Sequence, residues 1–581
     1  MSKFGIYFAG RDIVLPGVYA RVNADAMTPN RGVPSRAVAI LATAQGGTVG
    51  GADRITSLSA VRDTLIGGVG AQMTELAMAP SGELQGANEI YFVRVNKAVA
   101  AELDVGDTTF TSARAGRIGN STRAKIVAAT SGGGDDLYLD HAFLGVTETY
   151  RNLGPVLEVT YVGDAVAPTV AVADATGVKT LTLTGDATIA FSSENVETVA
   201  RLVDEINASS EWTAREVGGT PDALVADLAV ASPTLDANGK AVLSIPFGRA
   251  AELALADSTL ATAAPEAGSS TATGDWTYFS AGTEGAAVAT QDWLDALDVA
   301  ADLDAIAVVL GTGDLAALAA AKAHVETMSD AKNRKERLLY AGPDKAATKA
   351  ALTTALAAMS TGLGGKRTVI AGAEPKLVNV GSGRVEVFAA YYLAAMIAGM
   401  KAGNRPEIPL TNKQVSIFGT SYLYDVTELE GMLETGIVPV HLEPTTGQYV
   451  ITQGITSWTR DANVIYRKVA GMDIADYLNR RIRQRLARFI GNVGDELTAA
   501  QILQAVIGLL GEETRTASNR DGVLTAGVTA DGAPEPAFRD VEVVLDGFDL
   551  VGIRYLAHPV GEIAYITATA YLEPVRIVAR Q

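Results

Sequence analysis

The stretch Gly311-Thr-Gly313-Asp-Leu-Ala316 follows an apolar run, Ala305–Leu310, and opens a helical pattern. A dinucleotide-binding turn occupies such a place, with backbone N–H groups aimed at a pyrophosphate. Alanine at the third position is compatible with that fingerprint. Against it, the turn is not near the start of a domain, and no acidic residue ends a following strand to take a ribose hydroxyl. Asp314 reads better as a helix cap. A second glycine-rich stretch, Gly362-Leu-Gly-Gly-Lys366-Arg-Thr368, has the composition of a phosphate loop without its spacing, since Arg367 stands where Ser or Thr must follow the lysine. The four histidines, His141, His324, His441 and His558, are far apart and have no ligand at metal-like local spacing. There is no cysteine, no Gly-x-Ser-x-Gly elbow and no nominable carboxylate pair. No catalytic, cofactor-binding or metal-ligating residue is therefore assigned, and no cofactor is expected.

The strongest local anomaly is electrostatic. From Arg460 to Arg488 the chain carries eight basic residues against three acidic ones, within a protein of 47 basic and 66 acidic residues and net charge −19. Ile474, Leu478, Ile482, Leu486 and Phe489 recur at helical spacing and read as the core-facing stripe. Arg480, Arg481 and Arg488 then project from the opposite side. Asp473 and Asp476 at the start, with arginines toward the end, suit the helix dipole. The pattern fits either a solvated surface helix or a cationic patch for an acidic protein partner. The acidity of the whole chain argues against general binding to nucleic acid or to anionic membranes.

The elements around these residues suggest several domains, as 581 residues exceed one core. Ala37–Thr43 and Glu89–Val95 read as strands around a helix over Ser57–Ile66. From 101 to 280 helical periodicity largely gives way to short Val/Thr-rich strands between Gly/Asp turns, interrupted by one helix candidate, Ser193–Asn207. From 290 to 400 strands at 305–310, 337–341 and 367–371 alternate with helices, implying a largely parallel sheet. The Ala-rich run 386–400 reads as a buried helix and is too short to span a bilayer. Beyond 405 come helices over Ile474–Ile490 and Thr498–Leu510, then strands over Val541–Leu545, Leu550–Leu556 and Glu562–Leu572. No period of 20–50 residues repeats.

Both ends are apolar and β-prone, set off by Leu15-Pro-Gly-Val-Tyr19 and by Glu573-Pro574. An end of strand character is a candidate donor to another molecule's sheet edge, which points toward assembly.

In order along the chain, several segments resemble contractile-tail sheath proteins, nearest to the branch found in Gram-positive-type myophages. They are Leu15-Pro-Gly-Val-Tyr19, Arg54-Ile-Thr-Ser-Leu58, Asn88-Glu-Ile-Tyr-Phe-Val-Arg-Val95, Ala113–Asn120, Ile397-Ala-Gly-Met-Lys401 with Leu410-Thr-Asn-Lys413, and Val469–Asn492. The resemblance covers nearly the whole chain except about 120–275. It implies an α/β and α+β multidomain fold. This would comprise an N-terminal arm (1–30), an α/β sheath core in two parts (31–100 and 281–404), inserted β-rich outer domain or domains (101–280), a C-terminal inner domain (405–572) and a C-terminal arm (573–581).

It further implies a homo-oligomer of stacked hexameric rings around a tail tube protein, bounded by baseplate and tail terminator proteins. No nucleic-acid contact, membrane insertion or enzymatic activity is expected. Ile13, Leu15, Val18, Tyr19, Val22, Val575, Ile577 and Val578 would form inter-subunit arm strands. Val541, Val543, Ile563, Tyr565 and Thr567 would belong to the sheet accepting them. Arg480, Arg481 and Arg488 would face the tube. Contraction of a trapped lattice would drive the tube through a host envelope. The place of action would be the virion tail, after assembly in the host cytoplasm. A nucleotide-binding α/β enzyme and a β-rich surface adhesin are the alternatives.

Overall fold

A computed structural model describes residues 6–8, 11–13, 36–106, 108–265, 274–528, 531–546 and 550–564. Its contacts divide the chain into two units. One is Arg36–Met472 with Glu562–Gln581, the other Met1–Ser35 with Asp473–Gly561.

The larger unit is built on a seven-stranded sheet. Its strands run in the order Ile437–Val438, Thr368–Ala371, Leu338–Ala341, Ala305–Leu310, Ala37–Ala42, Ile90–Arg94 and Ala52–Ile55. All neighbours are parallel except the last pair, which is antiparallel. The inner strands are apolar at nearly every position because both faces are covered, whereas the edge strand Ala52–Ile55 carries Asp53 and Arg54. Successive side chains point to opposite sides. Val38, Ile40, Val309, Tyr340 and Val369 enter one core with the helices Val69–Met78 and Ala390–Gly403. Ala39, Leu41, Val308, Leu339 and Ile370 enter another, with Trp293 and Leu297 of the helix Thr290–Ala301. The Ala-rich run is thus a buried helix, and its small side chains allow close approach. A Cβ on Gly399 would stand 2.1 Å from the carbonyl oxygen of Ala77.

Between Ile90–Arg94 and Thr290–Ala301 the chain makes four small antiparallel sheets among the described residues. They share a core of their own that includes Phe110, Leu139, Leu157, Leu181, Leu202, Trp212 and Phe279. The helix expected over Ser193–Asn207 is shorter, Val199–Asn207, because Thr198 caps it by accepting the Arg201 N–H. A second helix, Phe247–Ala254, is not foreseen by periodicity, as eight residues give only about two turns. Residues 405–472, grouped with the C-terminal part in the sequence reading, place Ile437–Val438 in the central sheet and lie in the larger unit.

In the smaller unit, Ile474 and Leu478 of the helix Val469–Leu486 share a core with Ile502, Val506 and Leu510 of the helix Glu496–Glu512. The division between the units falls inside the first helix, between Met472 and Asp473. Asp495 caps the second, its carboxylate accepting the Thr498 N–H at 2.7 Å. An antiparallel hairpin, Phe538–Asp546 with Leu550–Ala557, completes the unit. Its register shifts between Arg539 and Glu542, where Asp540 has φ 53°, a left-handed conformation that Asp tolerates better than branched residues. Residues 562–564 form no strand, and the rest of the strand expected over Glu562–Leu572 lies outside the described residues. Among the described residues no helix is long and apolar enough to cross a membrane.

Candidate functional site

The glycine turns that could have held phosphate have their backbone groups engaged internally. Gly313 N–H donates to Asp344 Oδ1 at 2.9 Å, and Asp314 caps the helix Leu315–Met328. A Cβ on Gly313 would stand 2.2 Å from Asp344 N, so this glycine serves close packing. In the second stretch Gly365 N–H donates to Ser457 Oγ, the Gly364 carbonyl accepts from Lys322 Nζ, and Lys366 Nζ lies 4.6 Å from the centre of the Tyr466 ring. The histidines stay apart. His141 is buried, His324 meets Arg337, His441 meets Thr452 and His558 meets Glu535. The described residues contain no cluster of His, Asp and Glu able to hold a metal.

What the structure does offer is, among the described residues, a two-stranded hairpin. The hairpin alternates over Val541–Val544 and Leu550–Ala557. Val541, Val543, Val551, Ile553 and Tyr555 pack toward the unit's core, while Glu542, Val544, Arg554 and Leu556 are exposed. Among the described residues neither outer edge of the hairpin pairs with another strand. Two strands alone are marginal, and open edges are templates for a further chain.

The arginine helix differs from its sequence reading. Arg480 is only 6% exposed. Arg481 Nε donates to Glu513 Oε1 at 3.1 Å, and Arg485 pairs with Glu512. Tyr477 OH also donates to Glu513. Of the three arginines expected to project outward, only Arg488 is exposed, its guanidinium 4.9 Å from the centre of the Phe489 ring. At 100° per residue Arg481 stands only about 20° around the helix from Ile474, on the flank of the core stripe, where the end of the helix Glu496–Glu512 and the following Glu513 bring carboxylates to Arg481 and Arg485. A 100° periodicity places side chains around one axis but does not reveal a second helix. Arg488 instead lines a groove of about 750 Å³ with Arg485, Phe489, Gln501 and Gln504.

Over 531 residues, 89% of this chain and 91% of the other, the sequence is 27% identical to the tail sheath protein of Bacillus phage SP01. The chain resembles tail sheath proteins. No family model matches it. Its fold is similar to the crystal structure of the sheath tail protein from Listeria innocua, with TM-score 0.53 and 13% identity, covering 92% of this chain and 97% of that one. For the sheath tail protein from Desulfitobacterium hafniense the TM-score is 0.49 at 14% identity, covering 93% of this chain and all of the other. Likeness to the Listeria innocua protein at this identity concerns the fold, an α/β and α+β multidomain architecture.

With the resemblance in place, the expected sheath residues can be located. Ile13 pairs with Ile6 in a short hairpin of this same chain. Leu15, Val18, Tyr19, Val22, Tyr565, Thr567, Val575, Ile577 and Val578 lie outside the described residues. Val541 and Val543 are on the hairpin, on its core-facing side. Ile563 is in no strand and is 81% exposed.

Sequence reasoning missed one cluster. In Leu410-Thr-Asn-Lys413, Thr411 Oγ1 donates to Glu562 Oε1 at 3.1 Å and accepts the Gly454 N–H at 3.1 Å. Asn412 takes φ 58°, and Lys413 pairs with Glu83. Lys468 also pairs with Glu562. The Thr-Asn-Lys segment was visible as a motif. Its partner was not, because Glu562 reads simply as the first residue of a strand.

Proposed function

We propose that the protein is the structural subunit of a contractile tail sheath. It polymerises as stacked hexameric rings around a tail tube, and energy held in the extended lattice drives the tube through a host envelope on contraction. It works in the virion tail, after assembly in the host cytoplasm, beside tube, baseplate and terminator proteins. It acts by assembly, with no reaction catalysed, no nucleic-acid contact and no membrane insertion. Terminal arms of neighbouring copies complete the open hairpin, and such heterologous contacts propagate into a helix instead of closing. The observation that carries this reading is the likeness to a phage tail sheath protein over nine-tenths of both chains. The hairpin edges, which pair with no further strand among the described residues, supply a physical means of assembly.

Electron microscopy of the purified protein tests it. Tubular or ring-like polymers are expected from the full chain, and folded monomers after deletion of residues 574–581. Sheaths of normal length from the truncated chain would refute the arm-exchange scheme. Strictly monomeric full-length protein at every concentration, with and without a tail tube, would refute the sheath itself.

A further inference from the structure

Of the small sheets between Ile90–Arg94 and Thr290–Ala301, one has four strands, in the order Val146–Leu153, Asp135–His141, Thr122–Ala128 and Thr277–Tyr278. Ala124, Ile126, Leu137, Leu139 and Phe279 turn into the core of that region. Successive side chains alternate, so the residues between them stand on the opposite face. The register sets these in two rows across the sheet. One row is Tyr278–Arg123–Asp140–Thr147. The other joins Lys125, Tyr138 and Thr149, and Trp276, two residues before Tyr278, continues it.

The rings on this face are both exposed and held. Trp276 is 37% and Tyr278 51% exposed, although large aromatic side chains normally bury most of their surface. Residues two apart on a strand are about 7 Å from each other. The Arg123 guanidinium reaches both rings, 4.7 Å from the centre of Trp276 and 5.7 Å from that of Tyr278. Arg123 Nε in turn donates to Asp140 Oδ2 at 2.6 Å. Side chains fixed before a ligand arrives lose little entropy on binding it. Asp140 also compensates the charge of Arg123, which leaves Lys125 as the net charge of the two rows, too little for a polyanion such as nucleic acid. Neither row holds an aliphatic side chain to fill a protein partner's pocket. They hold ring faces, suited to C–H groups, beside a guanidinium, an ammonium and the exposed hydroxyls of Thr147 and Thr149.

We propose that this sheet face binds a neutral oligosaccharide. The rings of Trp276 and Tyr278 stack on the C–H faces of its sugars, and Arg123, Lys125, Thr147 and Thr149 hydrogen-bond its hydroxyls. Asp140 is a positioning residue, acting through Arg123. Aromatic rings with a few convergent polar groups are the usual make-up of a small-molecule site. This adds a binding activity to the β-rich insertion and is independent of whether the chain forms a sheath.

The test applies the full chain to a printed array of neutral oligosaccharides and titrates the retained members by calorimetry. Retention of at least one member is expected. Trp276→Ala and Tyr278→Ala, two separate ways to remove a ring, should each weaken binding about tenfold, whereas Trp276→Phe, which keeps a ring face, should lose no more than about threefold. Phe143→Ala removes an aromatic side chain that is 66% exposed but lies at the turn between two of these strands, outside both rows, and should bind as the parent does. Circular dichroism confirms that each variant is folded. No retention of any array member would overturn the proposal, as would unimpaired binding by the folded ring-deleted variants or an equal loss in Phe143→Ala. Retention of anionic glycans alone, abolished at about 1 M salt, would also overturn it, leaving only a screened contact with Lys125.

Discussion

Arg94 Nη2 donates to Glu284 Oε2 at 2.8 Å across 190 residues of sequence. Arg94 ends a strand of the central sheet and its side chain is wholly buried. It also donates to the carbonyls of Gly47 (3.2 Å) and Ala115 (2.9 Å). Burial lowers the guanidinium pKa, and Glu284 opposes that shift. Asn96 Nδ2 donates to Glu284 as well. The contact thus closes the β-rich insertion where it leaves and rejoins the sheet.

Replacing Glu284 with Ala strands a buried cation. The expected cost is about 2–3 kcal/mol, below the 3–5 kcal/mol typical of a fully buried pair because Glu284 is partly solvated. A denaturant titration followed by tryptophan fluorescence measures it. A loss under about 0.5 kcal/mol would mean the backbone carbonyls satisfy Arg94 alone.

Acid should loosen the α/β core through His324. Arg337 Nη1 lies 3.1 Å from His324 Nε2, and a guanidinium can only donate, so Nε2 must be unprotonated. Burial, and then the Arg337 charge, push the His324 pKa down to about 4. An unfolded histidine titrates near 6.5. The neutral ring's stabilising contribution is therefore complete above about pH 6.5 and is lost as pH falls toward 4, where the unfolded state holds the extra proton. The loss should reach about 2–3 kcal/mol after discount for partial exposure. His324→Gln keeps an acceptor for Arg337 and should flatten thermal stability between pH 6.5 and 4. An unchanged slope would remove His324 as its source.

Gly399 should tolerate no side chain. The Ala77 carbonyl stands 2.1 Å from where a Cβ would be, and it belongs to backbone that cannot rotate away. Gly399→Ala should cost about 1–3 kcal/mol despite alanine's better helix propensity, since overpacking outweighs the propensity gain of about 1 kcal/mol. A stabilised variant would show that the helices Val69–Met78 and Ala390–Gly403 can separate cheaply.

This contrast between propensity and packing explains how much was legible. The strands at 37–42, 90–94 and 305–310 stand out because burial on both faces leaves an uninterrupted apolar run. The helix Glu496–Glu512 stands out through its stripe and the Asp495 cap. What escaped depends on a second element. The pairing of Arg481 and Arg485 follows from the end of a neighbouring helix, and the bonds of Glu562 follow from residues 411 and 468, far from it in sequence. Local alternation at 562–572 argues for a strand but cannot say whose sheet it would join.

The hairpin separates fold from assembly at adjacent positions. Val543 packs toward the smaller unit's core, whereas Val544 is exposed. Val543→Asp should destabilise that unit by about 2–3 kcal/mol, the cost of an unpaired polar group in an apolar site. Val544→Lys should leave thermal unfolding within about 0.5 kcal/mol while lowering polymer yield, because an exposed edge lysine opposes strand addition. Equal effects on stability would show that the alternation does not persist in solution.

The arginines expected to face the tube now divide by burial. Arg480→Glu would bury a carboxylate beside the core and should reduce soluble yield or melting temperature outright. Arg488→Glu lies at the exposed groove mouth and should leave melting within about a degree, because exposed substitutions seldom cost more than about 0.5 kcal/mol. If Arg488 meets acidic groups on a tail tube, the same variant should bind the tube more weakly, with a shallower dependence on salt, since a rim charge acts mainly through screened, long-range attraction. Co-sedimentation of polymer with tube at low and high ionic strength measures both. Wild-type retention and an unchanged salt response in Arg488→Glu would take this residue off the tube-facing surface, and with it the last of the three arginines nominated from the sequence.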